Sequence, residues 1–354
     1  MSETTLLSDD APAVRAHFEA QAKACDRLGS AFTARLCRAL AKVLDRATGT
    51  GRRVLDWPGD PRDDALALRL CGGLHALVLS GADKQLAGIY PPARLDDAAL
   101  LATLADAIAR NDATLFSTLA NAPQTNEIAR SGMLLPGFLT IARETGLPLA
   151  LHEIGSSAAL NLLFDRFHYR YGQAEWGAAD SPVRLAPELR GKLPPLDGDL
   201  AVSARHGCDI APVDIGRPAD RLRLRSYIWA DQALRLERLD AAIGLAASVP
   251  FTLEQADAAD FVRARLASRR PGTAFVLFHS IMWQYMPQTT RAEISAALEA
   301  AGQDATAAAP VAWLRMEPLA TSDPHATLSL TLWPGGETRH LARCDYHGRW
   351  IEWL

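Results

Sequence analysis

No window of this 354-residue sequence supplies the roughly 20 consecutive apolar residues of a membrane-spanning helix, since Gly, His or Arg interrupts each long apolar stretch. No CxxC pair is present. The five cysteines, Cys25, Cys37, Cys71, Cys208 and Cys344, are scattered and odd in number, which excludes a zinc ribbon or redox dithiol and fits a reducing compartment. No Lys/Arg-rich run occurs, and the net charge of -4 is small against 37 basic and 41 acidic residues, so neither a nucleic-acid partner nor an anionic membrane is expected. A small-molecule substrate or a protein remains. The first residues, Met1 to Ala13, carry Glu3, Asp9 and Asp10 in place of the basic-then-apolar layout of a secretory signal, which predicts a cytoplasmic protein. Nothing repeats at a fixed period, and Ala305 to Ala309 is the one low-complexity patch.

What is present divides the chain in two. From Val14 to Leu147 apolar residues recur at three- and four-residue spacing, as in Phe18, Ala22, Cys25 and Leu28, which predicts helices. Gly72-Gly73 permits close packing beside Leu74 to Leu79, and further helices are expected over Asp96 to Ala109 and Asn126 to Thr145. After Pro148 the rhythm becomes extended. Leu149 to Ile154 reads as a strand ending at Gly155, followed by a tight turn and a helix over Ala158 to Phe164. Ala201–Arg205, Val249–Glu254, Thr273–His279 and Val311–Met316 repeat the pattern with helices between them, and predict a mostly parallel sheet covered on both faces. Thr327 to Trp333, the Pro334-Gly335-Gly336 turn and Thr338 to Cys344 predict a closing hairpin. A helical N-terminal domain over 1–122 and an α/β domain over 123–354 follow. His168 to Tyr171 and Val183 to Leu185 predict an inserted hairpin within about 166–200 that covers the pocket mouth.

In an open doubly wound sheet the ligand lies at the carboxyl ends of the strands. Glu153-Ile154-Gly155-Ser156-Ser157-Ala158 puts an acid at a strand tip and small residues in the turn, with backbone N–H groups open to a polar ligand at a helix start, or is simply a tight turn. Asp209 ends the next core strand, where a carboxylate accepts both hydrogen bonds of a ribose diol or makes an Asp turn. Asp257 is placed to accept the exocyclic amine of adenine, beside Ala258, while Asp260 caps the following helix. His279 and Ser280 end the fourth strand, with Trp283 and Tyr285 after them; His279 is either the candidate base or a buried His held by a carbonyl. Gln124, Asn126, Glu127 and Arg130 form a polar group on the helix entering the first strand, suited to a ligand's amino-acid end or carboxylate, or to a cap and surface ion pair. His75 reads as a core residue, and Glu317 and Asp323 as turn chemistry.

These strand endings resemble the motifs of class I S-adenosylmethionine-dependent methyltransferases, with Glu153 to Ala158 as the glycine-rich first motif and the terminal hairpin as the last two of seven strands. The resemblance implies a Rossmann-like seven-stranded sheet with S-adenosylmethionine as cofactor: Glu153, Gly155, Ser156, Ser157 and Asn161 near its methionine part, Asp209 at the ribose, Asp257-Ala258 at adenine. More closely, the chain resembles an uncharacterised bacterial family, domain of unknown function 2332, through Leu74 to Gly81, Gln124 to Glu127 with Arg130, Glu153 to Leu162, Trp229 to Gln232 and His347-Gly348. Two positions depart from that family's pattern, Ala158 for a second glycine and Ala230 for proline. Methyl transfer to a small-molecule acceptor is the expected function. A non-catalytic nucleotide-binding or protein-interaction module is the alternative, and a nicotinamide-dependent oxidoreductase is a third reading, opposed by the missing six-residue glycine fingerprint.

Overall fold

The computed structural model describes residues 11–93 and 96–354. The acidic residues Glu3, Asp9 and Asp10, on which the reading of the N-terminus rests, lie outside them. The described residues form two compact units: one comprises those up to 125 together with 216–236, the other 126–215 and 237–354. The sequence reading gives Gly216–Leu236 to the α/β domain; the structure adds it to the helical unit instead. No helix among the described residues is long and apolar enough to cross a membrane.

The first unit contains α1 (Pro12–Arg27), α2 (Ala31–Val43), α3 (Gly49–Leu55), α4 (Leu66–Leu79), α5 (Lys84–Ala87), α6 (Asp97–Arg110), α7 (Asp112–Thr118) and α9 (Pro218–Ser226). Ser30, Thr48, Asp83 and Asp96 cap α2, α3, α5 and α6 by accepting backbone N–H groups of the first turn. Phe18, Leu40, Leu66, Leu70 and Leu74 are fully buried between the helices. The segment containing Trp229 to Gln232 is structural: Asp231 accepts hydrogen bonds from the Ser30 hydroxyl at 2.5 Å and the Phe32 N–H at 2.9 Å, reinforcing the start of α2. His75 is buried, as the sequence predicts, with Nδ1 3.1 Å from the Ser226 carbonyl. At Gly72 an added Cβ would meet the Tyr227 ring at 2.5 Å, so glycine is required where α4 and α9 touch.

The second unit is built on a nine-stranded sheet. Its strands are β1 (Leu149–Ile154), β5 (Glu188–Gly191), β6 (Val202–Asp209), β7 (Thr252–Gln255), β8 (Ala274–Ser280), β9 (Val311–Glu317), β10 (Ala326–Trp333), β11 (Thr338–Cys344) and β12 (Trp350–Trp353), in the order β5-β12-β11-β10-β9-β8-β1-β6-β7. β7, β6, β1, β8 and β9 run parallel, and β10, β11 and β12 follow as an antiparallel meander. The chain steps from β1 to β6 and β7, then returns to β8 on the other side of β1; the topological switch point therefore lies beside β1. α8 (Ser131–Thr145), α10 (Ala233–Ala246), α11 (Ala258–Ala267) and α12 (Gln288–Gln303) are the remaining helices, and α10 begins in the first unit.

Three expectations change. The sheet has nine strands where seven are expected, because β12 follows β11 after a tight turn and β5 adds alongside β12. The inserted segment is not a hairpin of His168–Tyr171 with Val183–Leu185. β2 (His168–Tyr171) turns at Gly172 to pair antiparallel with β3 (Ala174–Trp176), and β4 (Arg184–Leu185) lies parallel to β2 in a separate three-stranded sheet. The helix expected over Ala158–Phe164 is a short 3-10 turn, Leu160–Arg166. Ser157 and Ala159 both have positive φ, which a right-handed helix cannot contain, so helical backbone starts only at Leu160.

Candidate functional site

Strand direction collects the polar motifs at one edge. The tips of β1, β6, β7, β8 and β9 point the same way, and the Asp345–Gly348 turn joining β11 to β12 returns to that edge because β11 runs parallel to β9. The entrance to α8 lies there too. Asn126 and Glu127 are buried, Ile128–Arg130 forms one 3-10 turn, and Arg130 donates to the Ser280 carbonyl at 3.1 Å and the Tyr346 carbonyl at 3.0 Å. Gly348 has φ +75 and sits so close to this turn that a Cβ would fall 2.4 Å from the Ala129 carbonyl oxygen, hence the glycine.

Glu153 ends β1 with 3% exposure, on the sheet face of its register partner Phe278, whose ring packs edge-on against Phe138. Its Oε2 is buried and has no hydrogen-bond partner. Burial pushes its carboxyl well above the ordinary range, the nearby Asp209 charge adds to this, and Arg130 opposes it. A buried carboxyl with an idle oxygen at the switch point is poised for a ligand that donates hydrogen bonds.

The turn after β1 is held differently from the open cradle the sequence suggests. Ser156 N–H bonds the Cys208 carbonyl, Ser157 N–H the Asp209 carboxylate at 2.8 Å, Ala159 N–H the Ser156 carbonyl and Leu160 N–H the Asn126 side-chain oxygen. These four N–H groups are consumed within the protein. Asn126 ties the loop from both sides by donating to the Ser156 carbonyl, and Asn161 accepts from Ser131. With these backbone donors used, side chains are the ligand candidates, and the Ser157 hydroxyl joins Glu153 Oε2 as a buried polar atom without a partner.

Conformational strain marks the same place. Among the described residues the non-glycine positions with positive φ are Ala65, Ser157, Ala159 and Ile281, and three of these four lie directly beyond β1 and β8. Such backbone costs about 1–3 kcal/mol per residue and is worst for a β-branched side chain like Ile281. The two loops touch: a Cβ on Gly155, itself at φ +63, would sit 2.7 to 3.1 Å from Met282.

His279 cannot act as the expected base. It is fully buried, its Nε2 accepts the Trp313 indole N–H at 3.1 Å, and indole is a donor only, so the ring proton resides on Nδ1 and points at Glu317 Oε1, 2.7 Å away. No lone pair is left for a substrate. Asp257 corrects a second assignment: its carboxylate accepts the Ala259 and Asp260 N–H groups as the cap of α11, whereas Asp260, given that role by the sequence, pairs with Arg263. Ala258 is accordingly the first residue of α11. Asp209 retains its position at the tip of β6, next to β1, with both oxygens engaged by the Ser157 and Ala211 N–H groups and one further lone pair on each. Tyr285 is 77% exposed, and Gln124 belongs to the first unit.

Glu317 is the residue that sequence reasoning underrated. At the tip of β9 it is buried, and its Oε1 accepts three hydrogen bonds, from His279 and from the Met282 and Trp283 backbone N–H groups at 3.0 and 3.3 Å. The alternation of β9, which puts Trp313, Arg315 and Glu317 on the face of His279, was the available signal.

No group of His, Cys, Asp and Glu among the described residues is arranged to hold a metal ion. Comparison with curated proteins and with solved structures finds no match. A family model described as "uncharacterized protein conserved in bacteria (DUF2332)" matches residues 15–353, nearly the whole chain, and the chain belongs to that family.

Proposed function

We propose that the carboxyl edge around Glu153 binds S-adenosylmethionine and that the protein is a methyltransferase of Rossmann-like, methyltransferase-type fold acting on a small-molecule acceptor. The observation that carries this reading is the buried Glu153 carboxyl with its partnerless Oε2, flanked by strained backbone beyond β1 and β8. The order β7-β6-β1-β8-β9 of the parallel strands supports the same reading.

The residues fit the cofactor at the points where they remain unsatisfied. Glu153 Oε2 and the Ser157 hydroxyl suit the ammonium end, and the spare lone pairs of Asp209 suit a ribose diol. When bound, the cofactor supplies an electrophilic methyl group. The protein contributes alignment and exclusion of water, the terms that dominate a direct displacement. Arg130 fixes the tip of β8 against the β11–β12 turn, and Asn126 fixes the turn after β1. With His279 saturated, no side-chain base is assigned, and the acceptor is expected to react without one. That saturation is also what favours the second reading, a non-catalytic nucleotide-binding or interaction module.

Isothermal titration with S-adenosylmethionine, S-adenosylhomocysteine and NAD separates these. Binding of the first two at micromolar affinity, about -8 kcal/mol, with no NAD binding is expected. Selective NAD binding would favour an oxidoreductase, and silence toward all three the interaction module.

A further inference from the structure

We propose that Glu317 and Trp283, at the tips of β9 and beyond β8, form a recognition subsite for a cationic amine. As a subsite for a cationic group of the acceptor remote from its reacting atom it rests on the methyl-transfer reading, but amine binding itself requires no cofactor.

The Glu317 side chain is locked through one oxygen only. His279 Nδ1 and the Met282 and Trp283 N–H groups converge on Oε1, and Oε2 is left buried without a donor. Three donors on one oxygen fix the direction of the other, so Oε2 is a preorganised acceptor. Leaving such an oxygen unpaired is costly, and an arriving N–H donor recovers that cost.

The surroundings select a cation over a neutral donor. Trp283 is half-buried and lies nearly parallel to the His279 ring, 4.9 Å between centroids at 13°, with Trp313 5.3 Å from Trp283. The Trp283 backbone N–H is itself one of the donors on Glu317 Oε1, so the indole is carried by a residue bonded to the carboxylate, and an indole with a carboxylate suits ammonium recognition, the ring quadrupole attracting the charge while the carboxylate accepts its N–H. The same loop carries the left-handed Ile281, whose N–H bonds the Met316 carbonyl, so the strained backbone before Trp283 is tied to β9 at Met316 as well as at Glu317 Oε1. Strained backbone of this kind clusters at ligand sites.

The test uses the full chain with benzylamine and its uncharged analogue benzyl alcohol, followed by calorimetry and by tryptophan fluorescence. Benzylamine is expected to bind at least tenfold more tightly than the alcohol. Glu317→Gln, which places an amide where the second carboxylate oxygen stands, is expected to weaken benzylamine at least tenfold. Trp283→Leu, which leaves the Glu317–His279 lock intact, gives a comparable loss and carries the test if the glutamine variant does not fold. Equal affinity for amine and alcohol, no benzylamine binding, or undiminished binding in folded Glu317→Gln and Trp283→Leu would each overturn the subsite. S-adenosylmethionine is titrated separately into the wild type: its failure to bind with the amine selectivity preserved removes the methyl-transfer reading and leaves the subsite standing.

Discussion

Replacing Glu153 by Gln is expected to weaken S-adenosylmethionine binding about 100-fold while raising the melting temperature by several degrees. Both effects have one cause. A carboxyl accepting hydrogen bonds from a cationic group contributes about 1.5–3 kcal/mol, or roughly 10- to 150-fold in affinity, and the amide retains the shape but loses the charge. In the free protein the same carboxyl is a burden. Its pKa in the folded state is raised by burial and by Asp209, so as pH rises above the ordinary glutamate value the unfolded chain releases its proton before the folded one does. The folded state then binds more protons than the unfolded state, and stability falls with rising pH. Glutamine removes that loss, with a gain of about 0.5–2 kcal/mol at pH 7, the usual trade between activity and stability at a ligand site. A melting temperature that drops, with affinity unchanged, would show that Glu153 is an ordinary core group.

The second large effect concerns acid stability and lies one residue earlier. His152 is buried on the opposite face of β1, stacked on Phe275 with centroids 4.3 Å apart and on His206 at 5.4 Å, and its Nδ1 has no partner. Burial, with smaller contributions from His206 and Arg265, lowers its pKa from 6.5 to about 3. Between those values the unfolded chain takes up a proton that the folded chain refuses, so stability decreases as pH falls from 6.5 toward 3. At pH 5 the window crossed is about 1.5 units, and at 1.36 kcal/mol per unit the loss is about 2 kcal/mol. His152→Leu is expected to abolish this component, so that variant and wild type, compared by urea unfolding at pH 7 and pH 5, diverge by about 2 kcal/mol in the variant's favour at the lower pH. Because Glu153 acts in the opposite sense, the wild-type profile alone blends the two, and the single variants separate them. Parallel profiles for variant and wild type would contradict the assignment.

Part of this edge is legible in the sequence. The break from Leu149–Ile154 into Gly155 marks the end of β1, because an apolar run stopped by an acid and a glycine fits few other contexts, and the parallel neighbours followed from their spacing. Asn126 and Arg130 were recognisable as a pair, although they fix two loops instead of lining one helix face. The chemistry of His279 was not legible, since its partners Trp313 and Glu317 come from another strand and only register brings them to the same face. Asp257 takes the capping role expected of Asp260, because either could cap α11 by sequence and only the local geometry chooses between them. The assignment of Gly216–Leu236 to the helical unit depends on long-range partners such as Asp231 with Ser30 and Tyr227 with Gly72, which no local pattern encodes.

The most direct test is amide hydrogen exchange of the full chain with and without saturating S-adenosylhomocysteine. Protection is expected in peptides covering Asn126–Arg130, Glu153–Asn161 and Ser280–Tyr285, since those segments meet at the carboxyl edge and a ligand there must quiet all three. Protection confined to other segments, or none in a protein that demonstrably binds the ligand, would contradict the placement of the site at the tips of β1 and β8.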